Sequence, residues 1–237
     1  MSGCTEPSTN PEKIKAVLSD AEILMLDFDG PICSVFAALP AYVVADQLRE
    51  ILESGGHTRF PAEIRASSDP FDVFAYAASK GSKEAKFIEA ALRAHEVEAV
   101  VNAEPTDGAL DLIQAWNSTG RRISIVSNNS AEAVEVYLER FGLRDQVQLV
   151  SARESPDPAL LKPAPFLIRN AAEKLGVSSE SCVLIGDSAS DIEATLSAGA
   201  VPIGYANKPG KAKVFRDRYS TLITYSITSL VELLKPA

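Results

Sequence analysis

The chain has 237 residues, 46% of them hydrophobic and 23% charged, with a formal net charge of -9. That length is enough to bury a large core in one or two domains. The acidic balance argues against nucleic acid as the main partner, because a phosphate backbone requires a basic face, but it leaves room for a small phosphorylated ligand at a local positive site. No apolar run approaches the length that spans a bilayer, so no membrane partner is expected.

In chain order, the opening MSGCTEPSTNPEK lacks the basic-then-apolar order of a secretory signal, so residues 1–20 are expected to form a flexible tail and the protein to be cytoplasmic. The cysteines Cys4, Cys33 and Cys182 have no metal-type spacing, and their odd number suits a reducing compartment; Cys33 and Cys182 are expected as small packed residues. The run ILML at 23–26 predicts a buried strand, and Asp27-Phe28-Asp29-Gly30 follows it directly. Two carboxylates at that spacing repel and lose hydration, so a metal ion, a positive side chain or a shared proton must stabilise them.

The next eighty or so residues are far too many for an ordinary strand-to-helix loop, and their patterns are helical over 37–52, 72–78 and 83–101. From about residue 109 strand and helix alternate. Strands are expected at 123–126, 147–150, 182–185, 201–204 and 221–224, and helices at 109–117, 131–141, 164–175, 191–198 and 227–234. Near-continuous apolar runs suit parallel strands covered on both faces. The expected architecture is α/β, a Rossmann-like doubly wound parallel sheet with a helical cap inserted after the first strand. The expected boundaries are 21–34 and 105–237 for the core and 35–104 for the cap.

Polar residues sit at the carboxyl ends of three expected strands: Asp27, Asp29 and Gly30; Ser127, Asn128 and Asn129; and Gly186, Asp187, Ser188 and Asp191. Ligands of open parallel sheets bind in the crevice outside those ends, and Lys162 in LLKPAP can reach it. Asp27, Asp29 and Asp187 offer hard oxygens suited to Mg²⁺, while Ser127, Asn128, Lys162 and a helix start supply donors and positive potential for phosphate oxygens. This is the chemistry of phosphoryl transfer, where positioning and charge neutralisation dominate. Asp191 fits two roles, cap of the helix that follows or contact to the metal.

With these motifs in this order, the chain resembles haloacid dehalogenase-superfamily phosphatases: Asp27-x-Asp29-Gly30, Ser127-Asn128, Lys162-Pro163, then Gly186-Asp187 with Asp191. The resemblance covers about residues 22–206, and the insertion matches the family's first class of cap. It implies Asp27 as nucleophile forming an aspartyl-phosphate, and Asp29 as general acid and then base. It further implies Mg²⁺ held by Asp27, the backbone carbonyl of Asp29 and Asp187, with Asp191 as a further ligand or anchor. Ser127, Asn128, Gly30 and Lys162 would bind the phosphate, Lys162 also holding Asp27. Pro31 stands where the family commonly has Thr.

The expected function is a Mg²⁺-dependent phosphatase of a small phosphorylated metabolite. The alternatives are a phosphosugar mutase of the same superfamily, a phospho-acceptor domain resembling response-regulator receivers, and a non-catalytic binding protein. For specificity, Phe36 is expected at the cap interface, and Arg59, in GGHTRFP, is expected to reach down to the substrate.

Overall fold

A computed structural model of the protein describes residues 10–235; Cys4 and residues 1–9 of the expected tail lie outside the described residues. The chain runs α1 (Pro11–Asp20), β1 (Ile23–Leu26), α2 (Ala41–Ser54), α3 (Ala62–Ala66), α4 (Pro70–Lys80), α5 (Ser82–Val100) and α6 (Ala109–Ser118). It continues through β2 (Arg122–Ser130), α7 (Ala131–Arg140), β3 (Leu149–Arg153), α8 (Phe166–Lys174), β4 (Cys182–Gly186) and α9 (Ala189–Ala198). Last come β5 (Val201–Tyr205), α10 (Lys211–Tyr219), β6 (Leu222–Thr224) and α11 (Ile227–Leu234).

The strands form one parallel sheet in the order β3-β2-β1-β4-β5-β6. All four residues of β1 are buried because it lies between β2 and β4 with helices on both faces, which is why it reads as an unbroken apolar run. The chain leaves β1 toward β2 on one side and returns to β4 on the other. The crevice of this doubly wound sheet therefore opens at the carboxyl end of β1.

The sequence expectation fails at the amino end. Residues 11–20, expected as part of a flexible tail, form α1: the Asn10 side chain accepts from the Lys13 N–H, Pro11 starts the helix, and Ile14 and Leu18 are buried. The i, i+4 spacing of those two residues is the signal that was missed. The third strand lies further along than expected, at Leu149–Arg153 rather than 147–150, because a short turn at Arg144–Gln146 delays it. α10 went unpredicted because Phe215 is its one buried residue. Among the described residues no helix is long and apolar enough to cross a membrane.

Between β1 and β2 the chain forms helices α2–α5. Buried residues of α2, α4 and α5, among them Leu48, Phe74 and Leu92, share one apolar cluster with Met25 of β1 and Leu184 of β4. Apolar packing thus runs without a break from the sheet into the insertion. Burying each such large side chain contributes about 1.5–3 kcal/mol. Cys33 and Cys182 are buried free thiols.

Candidate active site

The strand ends and the insertion enclose a cavity of about 590 Å³, a size ordinary for a small-molecule site. Asp27, Asp29, Ser127, Asn128, Lys162, Asp187 and Asp191 line it, as does Phe36. The structure therefore brings together residues separated by as much as 164 positions (191 − 27) in sequence.

Asp27 continues β1, its N–H donating to the Ile185 carbonyl at 2.9 Å. Its Oδ1 accepts from the Phe28 N–H at 2.8 Å and from Lys162 Nζ at 2.7 Å, leaving Oδ2 without a donor among the described residues. Burial pushes the Asp27 carboxyl up to about 8, reinforced by Asp191 and opposed by Lys162. The half-buried Asp29 is held by the Val35 N–H, which donates to its Oδ1 at 2.8 Å. Burial raises its pKa to about 6, against the effect of that hydrogen bond.

Gly30 does not line the cavity. It has φ 109°, and a Cβ there would come within 2.5 Å of Asp187 Cγ, so the glycine admits the Asp187 carboxylate beside the first motif. The Thr106 hydroxyl donates to the Gly30 carbonyl at 2.6 Å, bringing a hydroxyl from a distant segment to the loop that holds Pro31.

Lys162 is buried and its Nζ donates to Asp27 Oδ1 at 2.7 Å, to Asp191 Oδ1 at 2.5 Å and to the Val126 carbonyl at 2.9 Å. Burial opposes its charge, but Asp191 and Asp27 more than offset that, and the lysine pKa is raised. The Asn128 side chain also has a structural role. Its Nδ2 donates to the Lys162 carbonyl at 3.0 Å and its Oδ1 accepts from the Lys162 N–H at 2.8 Å. Its amide thus fixes the backbone that carries the lysine. Ser127 Oγ donates to Asn129 Oδ1 at 3.1 Å and accepts from the Asn129 N–H at 3.2 Å.

Both roles open to Asp191 can now be compared. Its Oδ1 accepts from Lys162, and its Oδ2 accepts from the Ser188 N–H at 3.0 Å and hydroxyl at 2.6 Å, completing a capping box at the start of α9. Both oxygens have protein donors, which favours the anchor over the ligand. Asp187 Oδ2 accepts from Lys211 Nζ at 2.5 Å and Asn207 Nδ2 at 2.9 Å, leaving Oδ1 without a donor among the described residues. Oxygens of Asp27, Asp187 and Asp191 all lie within 4.8 Å of one another, a donor set that fits a hard divalent cation.

Arg59 is placed outside this assembly. It is exposed, does not line the cavity, and its carbonyl accepts from the Tyr76 hydroxyl at 3.1 Å. Neighbouring Phe60 is buried against Tyr76, with ring centroids 5.6 Å apart, and Thr58 and Phe60 line a separate hollow with Arg49. That packing turns the segment away from the strand ends.

Sequence reasoning missed two groups. Lys211 and Asn207, which hold Asp187, come from NKPGKAK, whose charge pattern reads as a solvated loop. The second is a sealed ionic cluster behind the β2 loop. Arg153 donates from Nη1 to Glu89 Oε1 and from Nη2 to Glu96 Oε2, both at 2.5 Å, and from Nε to the Asn128 carbonyl at 3.1 Å. Glu96 also accepts from the Ser130 N–H at 2.9 Å and Asn129 Nδ2 at 3.1 Å. α5 thereby fixes the loop carrying Ser127 and Asn128.

Sheet order, motif placement and the carboxylate cavity together define a class, and comparison with known families agrees. The family model for haloacid dehalogenase-like hydrolases matches residues 22–199, and the chain belongs to that family. Among curated relatives, a phosphoglycolate phosphatase of Neisseria meningitidis is 30% identical over 129 residues, covering 54% of this chain and 52% of the relative. The pyrophosphatase PpaX of Halalkalibacterium halodurans is 28% identical over 105 residues, covering 44% of this chain and 48% of the relative. The chain spans about half the length of the curated relatives it matches. Among solved structures, CbbY from Rhodobacter sphaeroides in complex with phosphate superposes with a TM-score of 0.65 at 20% identity, covering 89% of this chain and 96% of that one. At that identity the likeness concerns the fold.

Proposed function

We propose that the protein is a Mg²⁺-dependent phosphatase that hydrolyses a small phosphate monoester through a phosphorylated Asp27. The observation that carries this reading is Asp27 itself. One of its oxygens is held by Lys162 and the Phe28 N–H, the other has no donor among the described residues, and Asp29 lines the same cavity. The names of the curated relatives, phosphoglycolate phosphatase and pyrophosphatase, support phosphate chemistry. Residues 21–34 and 105–237 serve as the catalytic core and 35–104 as the cap, whose helix α4 begins with residues that line the cavity.

Asp27, Asp187 and the Asp29 carbonyl are the residues that would hold Mg²⁺, with Asp191 anchoring Lys162. Bound there, the cation supplies the positive charge that restores the ionised form of Asp27 and screens it from the anionic ester. The chain's own residues do the rest. Asp27 Oδ2 bonds to phosphorus as the ester P–O bond breaks, and Asp29 gives its proton to the leaving alkoxide. Asp29, now a carboxylate, takes a proton from the water that cleaves the acyl phosphate, releasing inorganic phosphate and regenerating both acids. A pKa of about 6 lets Asp29 both give and take that proton near neutrality. Lys162 keeps the nucleophile oriented and offsets its charge.

The test is turnover of p-nitrophenyl phosphate. Sustained release with Mg²⁺, abolished by EDTA and by Asp27→Asn, is the expected result. A single turnover, or release that survives Asp27→Asn, would overturn the proposal.

A further inference from the structure

The residues that line the cavity form two groups of unlike chemistry. At the strand ends stand Asp27, Asp29 and Lys162. The first turn of α4 and the segment after β1 add Asp69, Asp72, Phe36 and Phe71 to the same lining. Among the described residues that line the cavity Lys162 is the one cation, and its ammonium is already shared among Asp27, Asp191 and the Val126 carbonyl. Lys211 belongs to a neighbouring hollow and is paired with Asp187.

The start of α4 would attract an anion if it were bare, because helix N-termini carry unpaired N–H groups and partial positive charge. Here its own carboxylates satisfy it. Asp69 is the N-cap, its Oδ1 accepting from the Phe71 N–H at 2.8 Å, and Asp72 lies in the first turn. Asp72 Oδ2 accepts from the Ser67 hydroxyl at 2.6 Å. Each carboxylate keeps its other oxygen without a donor among the described residues. Two further carboxylates and two aromatic rings in this lining repel a second anion and attract an ammonium group, by direct charge and by cation–π contact.

We propose that the substrate is the phosphate monoester of an amino alcohol, its phosphate at Asp27 and Lys162 and its ammonium against Asp69, Asp72, Phe36 and Phe71. This rests on the phosphatase reading and adds the leaving group: the P–O bond to the amino alcohol breaks, Asp29 protonates the departing oxygen, and water supplies the oxygen that ends on phosphate. Esters whose alcohol carries a carboxylate or a second phosphate are poor substrates.

Two esters of two-carbon skeleton test this directly, because phosphoethanolamine carries an ammonium where 2-phosphoglycolate carries a carboxylate. With Mg²⁺, kcat/KM for phosphoethanolamine should exceed that for 2-phosphoglycolate by at least tenfold, and raised salt should narrow the gap. Asp72→Lys should shrink the ratio by at least tenfold. Asp69→Asn with Asp72→Asn should shrink it less, and supplies the same readout if Asp72→Lys does not fold. A wild-type ratio of one or below, with p-nitrophenyl phosphate still turned over, overturns the substrate assignment and leaves the phosphatase reading standing. A ratio that neither set of variants changes overturns the role of these carboxylates. No turnover of p-nitrophenyl phosphate overturns both readings.

Discussion

Two buried cations in this molecule each sit between two carboxylates, and they serve different ends. Lys162 bridges Asp27 and Asp191; Arg153 bridges Glu89 and Glu96. Behind the β2 loop, Arg153 uses its fork on both glutamates and a carbonyl, and Glu96 takes up two more donors, so every charge has partners and the cluster is closed. At the cavity the lysine gives one hydrogen bond to each aspartate and leaves Asp27 Oδ2 unused. Burial then pushes Asp27 up to about 8 despite the lysine beside it. A saturated cluster fixes shape, and an unsaturated one next to open space is poised for chemistry.

The contrast breaks most sharply under substitution of Asp27. Asp27→Asn should lower kcat at least 10³-fold while Tm near neutrality holds or rises, because it removes a buried carboxyl whose ionisation favours the unfolded chain. Equal losses of activity and of Tm would put the two clusters in one class.

Arg153→Met should do the reverse. Removing the buried cation from between Glu89 and Glu96 should cost about 3–5 kcal/mol in denaturant unfolding, with kcat of the folded fraction changed by about tenfold or less. A stable Arg153→Met protein would show that the cluster does not hold α5 to the β2 loop.

Acidity sharpens the contrast further. Asp29 and Asp27 have folded-state pKa values of about 6 and about 8, above their ordinary 3.8. The unfolded chain gives up these protons first, so the stability present below pH 3.8 is lost as pH rises through the folded values. In EDTA, Tm should therefore fall between about pH 4 and 8. Asp27→Asn should flatten the upper part of that slope, and millimolar Mg²⁺ should do so by binding the folded state. A wild-type Tm that climbs from pH 6 to 8 in EDTA would contradict the burial argument.

The smallest effect belongs to Arg59→Ala. Since Arg59 lies outside the cavity, kcat and KM should stay within about twofold for any substrate, as for ordinary surface substitutions. A raised KM would return it to the site.

Much of the sheet was legible because strands covered on both faces must be apolar throughout and must end where polar residues begin. ILML before Asp27 and CVLIG before Asp187 show both features. Side-chain assignments were less legible, because a residue type states what it can do and not what it is already doing. Asn128 can donate to phosphate, and its amide also holds the Lys162 backbone; Asp191 can bind metal, and its oxygens also anchor Lys162 and cap α9. Arg153 gave no signal in the sequence because its partners lie 57 and 64 positions away, on a helix that only the fold brings near. Residues 11–20 looked like tail because the helix is short and only Ile14 and Leu18 of it are buried.

Acid quenching during turnover of a ³²P-labelled ester tests the central claim most directly. The account predicts hydroxylamine-labile phosphate on the peptide containing Asp27, in wild type and not in Asp27→Asn. Label on another residue, or full turnover by Asp27→Asn with no labelled peptide, would contradict it.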